Sequence, residues 1–235
     1  MSTRVKICGL RTRAALDAAL EAGADLVGFV IFPRSPRHVT FEEAAALVRH
    51  ARAVGRAETV VLLVDPEDAC VARVAAEVAP DRIQLHGHET PERVAAIRAA
   101  SGRPIMKAVP VADAADVAAA RVYLAPARAA CLLFDAKPPR DPAALPGGNG
   151  LAFDWHALEG ARDMAPFALA GGLTAENVAA AIQLTGAAIV DVSSGVESHP
   201  GEKDAELIRR FLRAAKAARE AGNTAPLRAE DAPGG

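Results

Sequence analysis

The chain has few cysteines and no excess of positive charge. Its 235 residues include only Cys8, Cys70 and Cys131. Their odd number and long spacing argue against a disulfide framework or a Cys-x-x-Cys metal site, and favour a reducing compartment. The net charge of -2, with 24% charged residues, argues against binding to nucleic acid or to an anionic membrane. Any anionic ligand must therefore be held by local groups, and we expect a cytoplasmic protein.

Long apolar segments are also missing. No window is long and apolar enough to span a bilayer, and residues 1–4 lead into a short strand without the apolar run of a signal peptide. We therefore expect no membrane association. The length suits one large domain, and alternating α/β barrels commonly fill it.

The sequence is dominated by a repeated alternation of apolar strands and Ala-rich helices. The apolar stretch at 25–32 is typical of a strand in a parallel sheet that is covered on both faces. Eight strands and the helices between them predict an α/β fold, a single-domain (β/α)₈ TIM barrel over residues 1–222, with an open doubly wound sheet as the alternative. The predicted strands are 5–8, 25–32, 59–64, 82–85, 104–109, 131–134, 167–170 and 188–192. The predicted helices are 13–22, 40–53, 66–78, 90–100, 112–121, a short one near Trp155, and 202–221.

The first strand ends in a reactive side chain. Strand residues alternate between faces, so if Ile7 packs against helices, then Lys6 and Cys8 point toward the barrel interior and its rim. Cys8 would then lie at the mouth of the barrel. The alternative is that Cys8 is a small buried apolar residue, as most free cysteines are.

Two loops predict a phosphate site. In barrels of this kind, phosphate is commonly held by the loops after strands seven and eight. Gly171 and Gly172 follow strand seven and leave backbone N–H groups accessible to an anion, while Ser193, Ser194 and Gly195 follow strand eight. Each loop alone could be an ordinary turn. Their occurrence after consecutive final strands favours a small phosphorylated substrate.

Two further strand ends carry charge. Arg37 lies in a proline-flanked loop after strand two, where it could hold a carboxylate or simply be solvated. Asp135 ends strand six, where it could reach the pocket as an acid or form a turn. The Pro/Gly-rich segment 136–150 is long enough to be a mobile cover over that acid.

Two histidines suggest a competing metal site. His86 and His88 lie two apart at the end of strand four, a spacing seen in metal-dependent barrel hydrolases. No histidine follows strands five or seven, so further ligands are lacking. We therefore predict no metal, and interpret His86 as a pocket-lining or structural residue.

These motifs, in this order, resemble the phosphoribosylanthranilate isomerase family, barrel enzymes of tryptophan biosynthesis. The resemblance runs from about Val5 to Phe211. It departs at Asn149, where a threonine is common, and in the proline-rich segment 137–145. The matching motifs are Lys6-Ile7-Cys8-Gly9, Gly28-Phe29 with Phe32, Ser35-Pro36-Arg37, Gln84-Leu85-His86-Gly87, Phe134-Asp135, Gly147-Gly148-x-Gly150, Phe153-Asp154-Trp155, Ala170-Gly171-Gly172-Leu173 and the stretch from Asp191 to Glu197.

The resemblance implies an Amadori rearrangement of N-(5-phosphoribosyl)anthranilate, without a cofactor, in a monomer or homodimer. It implies Asp135 as the general acid and Cys8 as the general base. We expect the apolar wall around Phe134 to raise the pKa of Asp135 and the charge of Lys6 to lower the pKa of Cys8. Arg37 would hold the anthranilate carboxylate. The phosphate would be held by Gly172, Ser193, Ser194 and Gly195.

Two alternatives remain open from the sequence. The related isomerase of histidine biosynthesis, or a dual-specificity enzyme, performs the same rearrangement on a substrate with two phosphates. That family has aspartate at the end of strand one, so Cys8 argues against it. The other alternative is an inert barrel that serves as a ligand-binding subunit.

Residues 223–235 are small, polar or Pro/Gly, so we expect a disordered tail. Deleting them should leave turnover unchanged and the melting temperature within a few degrees, because the tail offers almost no apolar surface to bury. Calorimetry of the full-length and shortened chains measures this. A larger shift would show that the tail packs on the barrel.

Overall fold

Eight parallel strands close into a barrel in chain order, with the first strand paired to the last. This closed parallel barrel confirms the predicted (β/α)₈ fold. The computed structural model describes residues 3–55, 57–125, 128–137, 147 and 153–223. The strands are β1 (Arg4–Cys8), β2 (Leu26–Val30), β3 (Glu58–Leu63), β4 (Arg82–Leu85), β5 (Ile105–Val111), β6 (Cys131–Ala136), β7 (Phe167–Leu169) and β8 (Ile189–Val192).

Helical segments connect the strands on the outside of the barrel. None of them, within the described part of the chain, is long and apolar enough to cross a membrane. The α-helices are α1 (Arg13–Glu21), α2 (Phe41–Val54), α3 (Asp68–Arg73), α4 (Pro91–Ser101), α5 (Ala114–Ala119), α6 (Val178–Thr185) and α7 (Ala205–Asn223). Helix α3 continues as a π-helical turn (Val74–Val78), α5 continues as a 3₁₀ segment (Ala120–Leu124), and further 3₁₀ segments are Trp155–Ala161 and Ser194–Val196.

Three helices begin at a threonine cap. The Thr12 and Thr90 hydroxyls each accept a backbone N–H at 3.2 Å from the first turn of α1 and α4. Thr40 and Glu43 form a capping box at the start of α2. A cap of this kind satisfies N–H groups that have no partner within the helix and contributes about 1 kcal/mol. These caps are local sequence signals, which explains why the starts of α1, α2 and α4 could be predicted from the sequence.

The barrel wall separates two cores. Nine buried apolar residues fill the interior, among them Leu26, Met106 and Leu133. A larger core lies between the strands and the helices, and Ile7 belongs to it. Lys6, the neighbour of Ile7, is fully buried and bonds Asp191 of β8. The predicted alternation of β1 is therefore correct.

The end of the chain differs from the prediction. Residues 202–203 do not begin the last helix but form strand β10 (Glu202–Lys203), which pairs antiparallel with β9 (Glu197–His199). Helix α7 begins at Ala205 because the Asp204 carboxylate accepts the N–H groups of Glu206 and Leu207 at 2.7 and 2.9 Å. Helix α6 was not predicted. The expected tail beyond Asn223 and most of the expected cover segment 136–150 lie outside the described residues.

Phe211 fastens α7 to the barrel, since its side chain is fully buried in the outer core. Phe211→Ala should lower the free energy of unfolding by about 3 to 5 kcal/mol, because it leaves a cavity that the neighbours cannot fill. Phe41→Ala is the matched control. Its ring is only half-buried and lies under Arg73, so its loss should be about 1 kcal/mol. Equal losses in denaturant titrations would contradict this account of the packing.

Candidate active site

A cavity opens at the carboxyl ends of the barrel strands, with about 810 Å³ of empty space that includes the part open to solvent. All of the predicted site residues line it: Cys8, Arg37, His86, Asp135, Gly171, Gly172, Ser193, Ser194 and Gly195. Residues from β1, β2, β4, β6, β7 and β8 therefore converge on one space, as the carboxyl end of a parallel barrel requires.

The Cys8 thiol lies beside a buried ion pair. Lys6 donates to both carboxylate oxygens of Asp191 at 3.0 Å. Burial opposes the charge of Lys6, but the charges of Asp191 and Cys8 outweigh it and raise the pKa of Lys6. The predicted lowering of the Cys8 pKa is wrong. Burial raises the pKa of Cys8, and the positive charge of Lys6 lowers it by less than burial raises it.

Asp135 lies against His86 at the opposite part of the wall. One carboxylate oxygen is 3.2 Å from Nε2 of His86, and the other accepts the N–H of Ala136 at 2.8 Å. The Gln84 amide nitrogen contacts Nδ1 of the same imidazole at 3.0 Å and so holds the ring in place. His86 is thus a pocket-lining residue, as expected, and its partner is the predicted acid.

Phe134 does not supply the apolar wall expected around Asp135. As the preceding residue on β6, Phe134 points the opposite way and belongs to the core outside the barrel. Its ring packs edge-on against Phe167, with the centroids 5.4 Å apart. The strand alternation that places Asp135 in the cavity therefore removes Phe134 from it.

The two histidines of β4 and its loop do not converge. His86 faces Asp135, whereas the His88 side chain is 94% exposed and contacts Asp65. The described ranges contain no group of three histidine, cysteine or acidic residues that could hold a metal ion. This geometry differs from the convergent ligands that a metal-dependent hydrolase needs.

The two predicted phosphate loops lie next to each other. Gly171 and Gly172 have φ angles of 87° and 62°, a left-handed conformation that glycine adopts without strain. A Cβ at Gly195 would overlap the carbonyl oxygen of Leu173, so only glycine allows the two loops to pack this closely. The Ser193 hydroxyl also donates to the carbonyl of Cys8 at 3.2 Å, which links the loop after β8 to the end of β1.

Arg37 is buried and held by a carboxylate, in contrast to a solvated loop arginine. Its Nε and Nη2 donate to the two oxygens of Glu197 at 2.7 and 2.8 Å. Burial opposes ionisation of Glu197, but the hydrogen bond from Arg37 and the charge of Lys203 outweigh it and lower the pKa of Glu197. The guanidinium thus reaches the cavity in one fixed orientation.

Sequence reasoning missed the residues that support this site. Glu197 was noted only as the end of a motif, and Lys203 was placed in a helix. Gln84 was quoted within the β4 motif without a role. The alternation of β4 could have assigned Gln84 and His86 to one face, because they are two residues apart. No local signal pairs Glu197 with Arg37, which lies 160 residues away.

Comparison with known proteins gives one consistent result. A family model described as N-(5'phosphoribosyl)anthranilate (PRA) isomerase matches residues 5–214. The enzyme of that name from Azorhizobium caulinodans is 55% identical over 233 residues, which cover 99% of this chain and 100% of that protein. Its counterpart from Paramagnetospirillum magneticum is 55% identical over 93% of this chain and 100% of its own length.

Solved structures agree with the sequence comparison. The phosphoribosyl anthranilate isomerase of Thermotoga maritima superposes with a TM-score of 0.80 at 35% identity, covering 92% of this chain and 99% of that one. A structure of such an isomerase with reduced 1-(o-carboxyphenylamino)-1-deoxyribulose 5-phosphate has a TM-score of 0.78 at 33% identity, with the same coverage of both chains. The chain therefore belongs to the N-(5'-phosphoribosyl)anthranilate isomerase family.

Proposed function

We propose that Cys8 and Asp135 are the general base and general acid of the family's reaction. The chain is an isomerase of tryptophan biosynthesis that converts N-(5-phosphoribosyl)anthranilate into 1-(2-carboxyphenylamino)-1-deoxyribulose 5-phosphate. The observation that carries the assignment is that both residues line one cavity together with Arg37 and the two phosphate loops. A substrate held at its two anionic ends would present its sugar to both.

Two proton transfers define the chemistry. Asp135 gives a proton to the furanose ring oxygen as the bond from that oxygen to C1 breaks, which opens the sugar to a Schiff base. The Cys8 thiolate then removes the proton from C2, and the electrons of that C–H bond form the C1=C2 double bond of an enolamine. The enolamine becomes the ketone when C1 gains a proton and the C2 hydroxyl loses one. His86, 3.2 Å from Asp135, can donate to the carboxylate that ring opening leaves.

The environment of Cys8 makes the thiolate, the form that can act as base, a minor species of the free enzyme. Burial keeps the thiol protonated in the empty site, since it raises the pKa of Cys8. Lys6 lies beside the thiol and acts in the opposite direction, so it stabilises the thiolate when that forms. A thiolate that is scarce in the resting enzyme does not repel an arriving anionic substrate.

Binding is assigned to the two ends of the cavity. Arg37 would hold the anthranilate carboxylate, with apolar Val30, Phe32 and Leu62 lining the cavity for the aromatic ring. The backbone at Gly171 and Gly172, together with Ser193, Ser194 and Gly195, would hold the phosphate. The fixed Arg37 guanidinium supports the first assignment. The left-handed glycines support the second.

The proposal extends to assembly and cellular setting. We place the enzyme in the cytoplasm, because its three cysteines are unpaired in the structure and their spacing favours a reducing compartment. A solved relative from Thermotoga maritima is described as dimeric, with monomers generated from it. A monomer and a homodimer are both compatible with this chain. Light scattering of the protein as it elutes from a size-exclusion column distinguishes them.

The proposed acid and base can be removed separately. Cys8→Ala and Asp135→Asn should each lower kcat by about 10² to 10⁴, the usual contribution of positioned proton transfer. Loss of fluorescence of N-(5-phosphoribosyl)anthranilate, generated in the cuvette, measures turnover. Both variants should still bind reduced 1-(o-carboxyphenylamino)-1-deoxyribulose 5-phosphate, because neither group carries most of the ground-state binding.

A matched control is Cys70→Ala, since Cys70 is a half-buried cysteine on α3 and does not line the cavity. Its turnover should equal that of the wild type. Full activity in Cys8→Ala would remove the thiol from the mechanism and return Cys8 to a packing role.

Cys8, the proposed base, should also determine how the single-turnover rate depends on pH. Because burial raises the pKa of Cys8, the thiolate fraction increases about tenfold per pH unit below that pKa. The single-turnover rate of the wild type should therefore rise from pH 7 to pH 9. In Cys8→Asp the base is a carboxylate that is already ionised in this range, so the rate should be lower and nearly independent of pH. The same rising slope in both proteins would assign the ionisation to another group.

A further inference from the structure

Strands β9 and β10 form a two-stranded ribbon after β8, and this ribbon places a buried lysine behind the cavity. Strand β10 pairs with β9 so that Lys203 lies directly opposite Glu197. The Lys203 side chain is only 1% exposed. It does not line the cavity. Lys203 can therefore act on a ligand only through the groups that its ammonium contacts or through the electric field of its charge.

Those contacts reach both ends of the proposed substrate site. The Lys203 ammonium donates to the backbone carbonyl of Ser193 at 2.8 Å and to the Ser193 hydroxyl at 3.2 Å. It also donates to Oε1 of Glu197 at 2.6 Å. That same oxygen accepts the Nε of Arg37 at 2.7 Å. The Lys203 ammonium, together with Glu197, thus links the loop after β8 to the Arg37 guanidinium in the loop after β2.

Glu197 is shared by two cations. Its second oxygen accepts Nη2 of Arg37 at 2.8 Å and the N–H of Gly201 at 3.2 Å, so the turn of the ribbon holds the carboxylate in place. Nearby, Lys6 and Asp191 form a pair of one cation and one anion. Glu197 differs from Asp191 in that its single carboxylate accepts from both Arg37 and Lys203.

The buried charge of Lys203 has a thermodynamic cost. Burial lowers the pKa of Lys203 to about 8, although Glu197 acts in the opposite direction. The charged groups that act on it are Glu197, Arg37 and Cys8. Apolar side chains that replace a whole buried ion pair often cause no loss of stability. Groups whose pKa is shifted by burial and by specific charged neighbours cluster at functional sites.

We propose that Lys203 is a positioning residue that couples the phosphate end of the substrate site to its carboxylate end. Through Ser193 it fixes the loop that faces the phosphate. Through Glu197 it fixes the guanidinium that faces the anthranilate carboxylate, and its charge makes both ends more attractive to anions. The inference rests on the proposed binding roles of Arg37 and the loop after β8.

The central test compares Lys203→Met with Lys203→Arg. The methionine keeps most of the length of the side chain and removes its charge, while the arginine keeps the charge. Calorimetry should show Lys203→Met binding reduced 1-(o-carboxyphenylamino)-1-deoxyribulose 5-phosphate about 10- to 100-fold more weakly, the usual effect of losing a buried charge-assisted hydrogen bond. Its KM should rise with a much smaller change in kcat. Lys203→Arg should recover part of the affinity.

Fragments separate the two ends of the site. Inorganic phosphate reports on the loop after β8, and anthranilate reports on Arg37. Both should compete more weakly in Lys203→Met than in the wild type. Lys216→Met is the control, because the Lys216 ammonium bonds only the carbonyl of Ala22 among the described residues and lies outside the cavity. Its affinities should stay within about twofold of the wild type.

The pH dependence tests the same proposal without changing Lys203. In the Cys8→Ala protein, which lacks the thiol that would titrate nearby, affinity for the reduced product analogue should fall up to about tenfold between pH 7 and pH 9 as Lys203 loses its proton. The phosphate of the ligand stays a dianion over this range. Lys203→Met in the same background should show no such fall. Lys203→Arg in the Cys8→Ala background keeps its charge over this range and should also show no fall, so the pH series decides the question even if Lys203→Met does not fold.

Several results would overturn the proposal. Unchanged affinity for phosphate and anthranilate in Lys203→Met would do so, as would weakening of only one fragment, since coupling requires both. A lower melting temperature with unchanged KM would assign Lys203 to stability alone. The proposed function is judged separately by turnover of the wild type, so failure of that assay would leave these binding measurements interpretable.

Discussion

The pairing of β1 with β8 is the contact on which both the barrel and its active site depend. Lys6 lies beside Asp191 in the register of the two strands, and their side chains form an ion pair inside the closed barrel. Two residues further on, the same seam brings the Cys8 carbonyl within 3.2 Å of the Ser193 hydroxyl. Closing the barrel therefore places the proposed base next to the proposed phosphate loop. Without the pairing of β1 with β8, the proposed base and the proposed phosphate loop would not lie next to each other.

Much of this was predictable because the signals are local. Apolar runs and glycines marked the strands and turns, and the Thr40 capping box fixed the start of α2. The rule that chemistry gathers at the carboxyl ends of parallel strands then placed Cys8, Asp135 and the glycine loops in one cavity. Each of these inferences uses residues close in sequence together with one topological rule. The cavity lining agrees with them.

The errors arose where distant residues or burial decide the outcome. The sequence at Glu202 and Lys203 predicts the start of an amphipathic helix. In the structure, Lys203 pairs with Glu197 across the ribbon of β9 and β10, and Asp204 caps the helix instead. For Cys8, the neighbouring Lys6 was visible in the sequence, whereas the degree of burial that raises the thiol pKa was not. Partners and desolvation are properties of the folded chain, so periodicity cannot supply them.

The electrostatics of the cavity resolve a conflict between binding and catalysis. A substrate with a carboxylate and a phosphate is attracted by positive charge, yet the proposed base, Cys8, must carry a negative charge at the same place before it can accept the C2 proton. Burial keeps the Cys8 thiol neutral while the site is empty, and Lys6 stands beside it to balance the thiolate. Arg37, which lines the cavity, and Lys203, which lies behind its wall, share Glu197. In the proposed assignment, these cations hold the substrate whether Cys8 is a thiol or a thiolate.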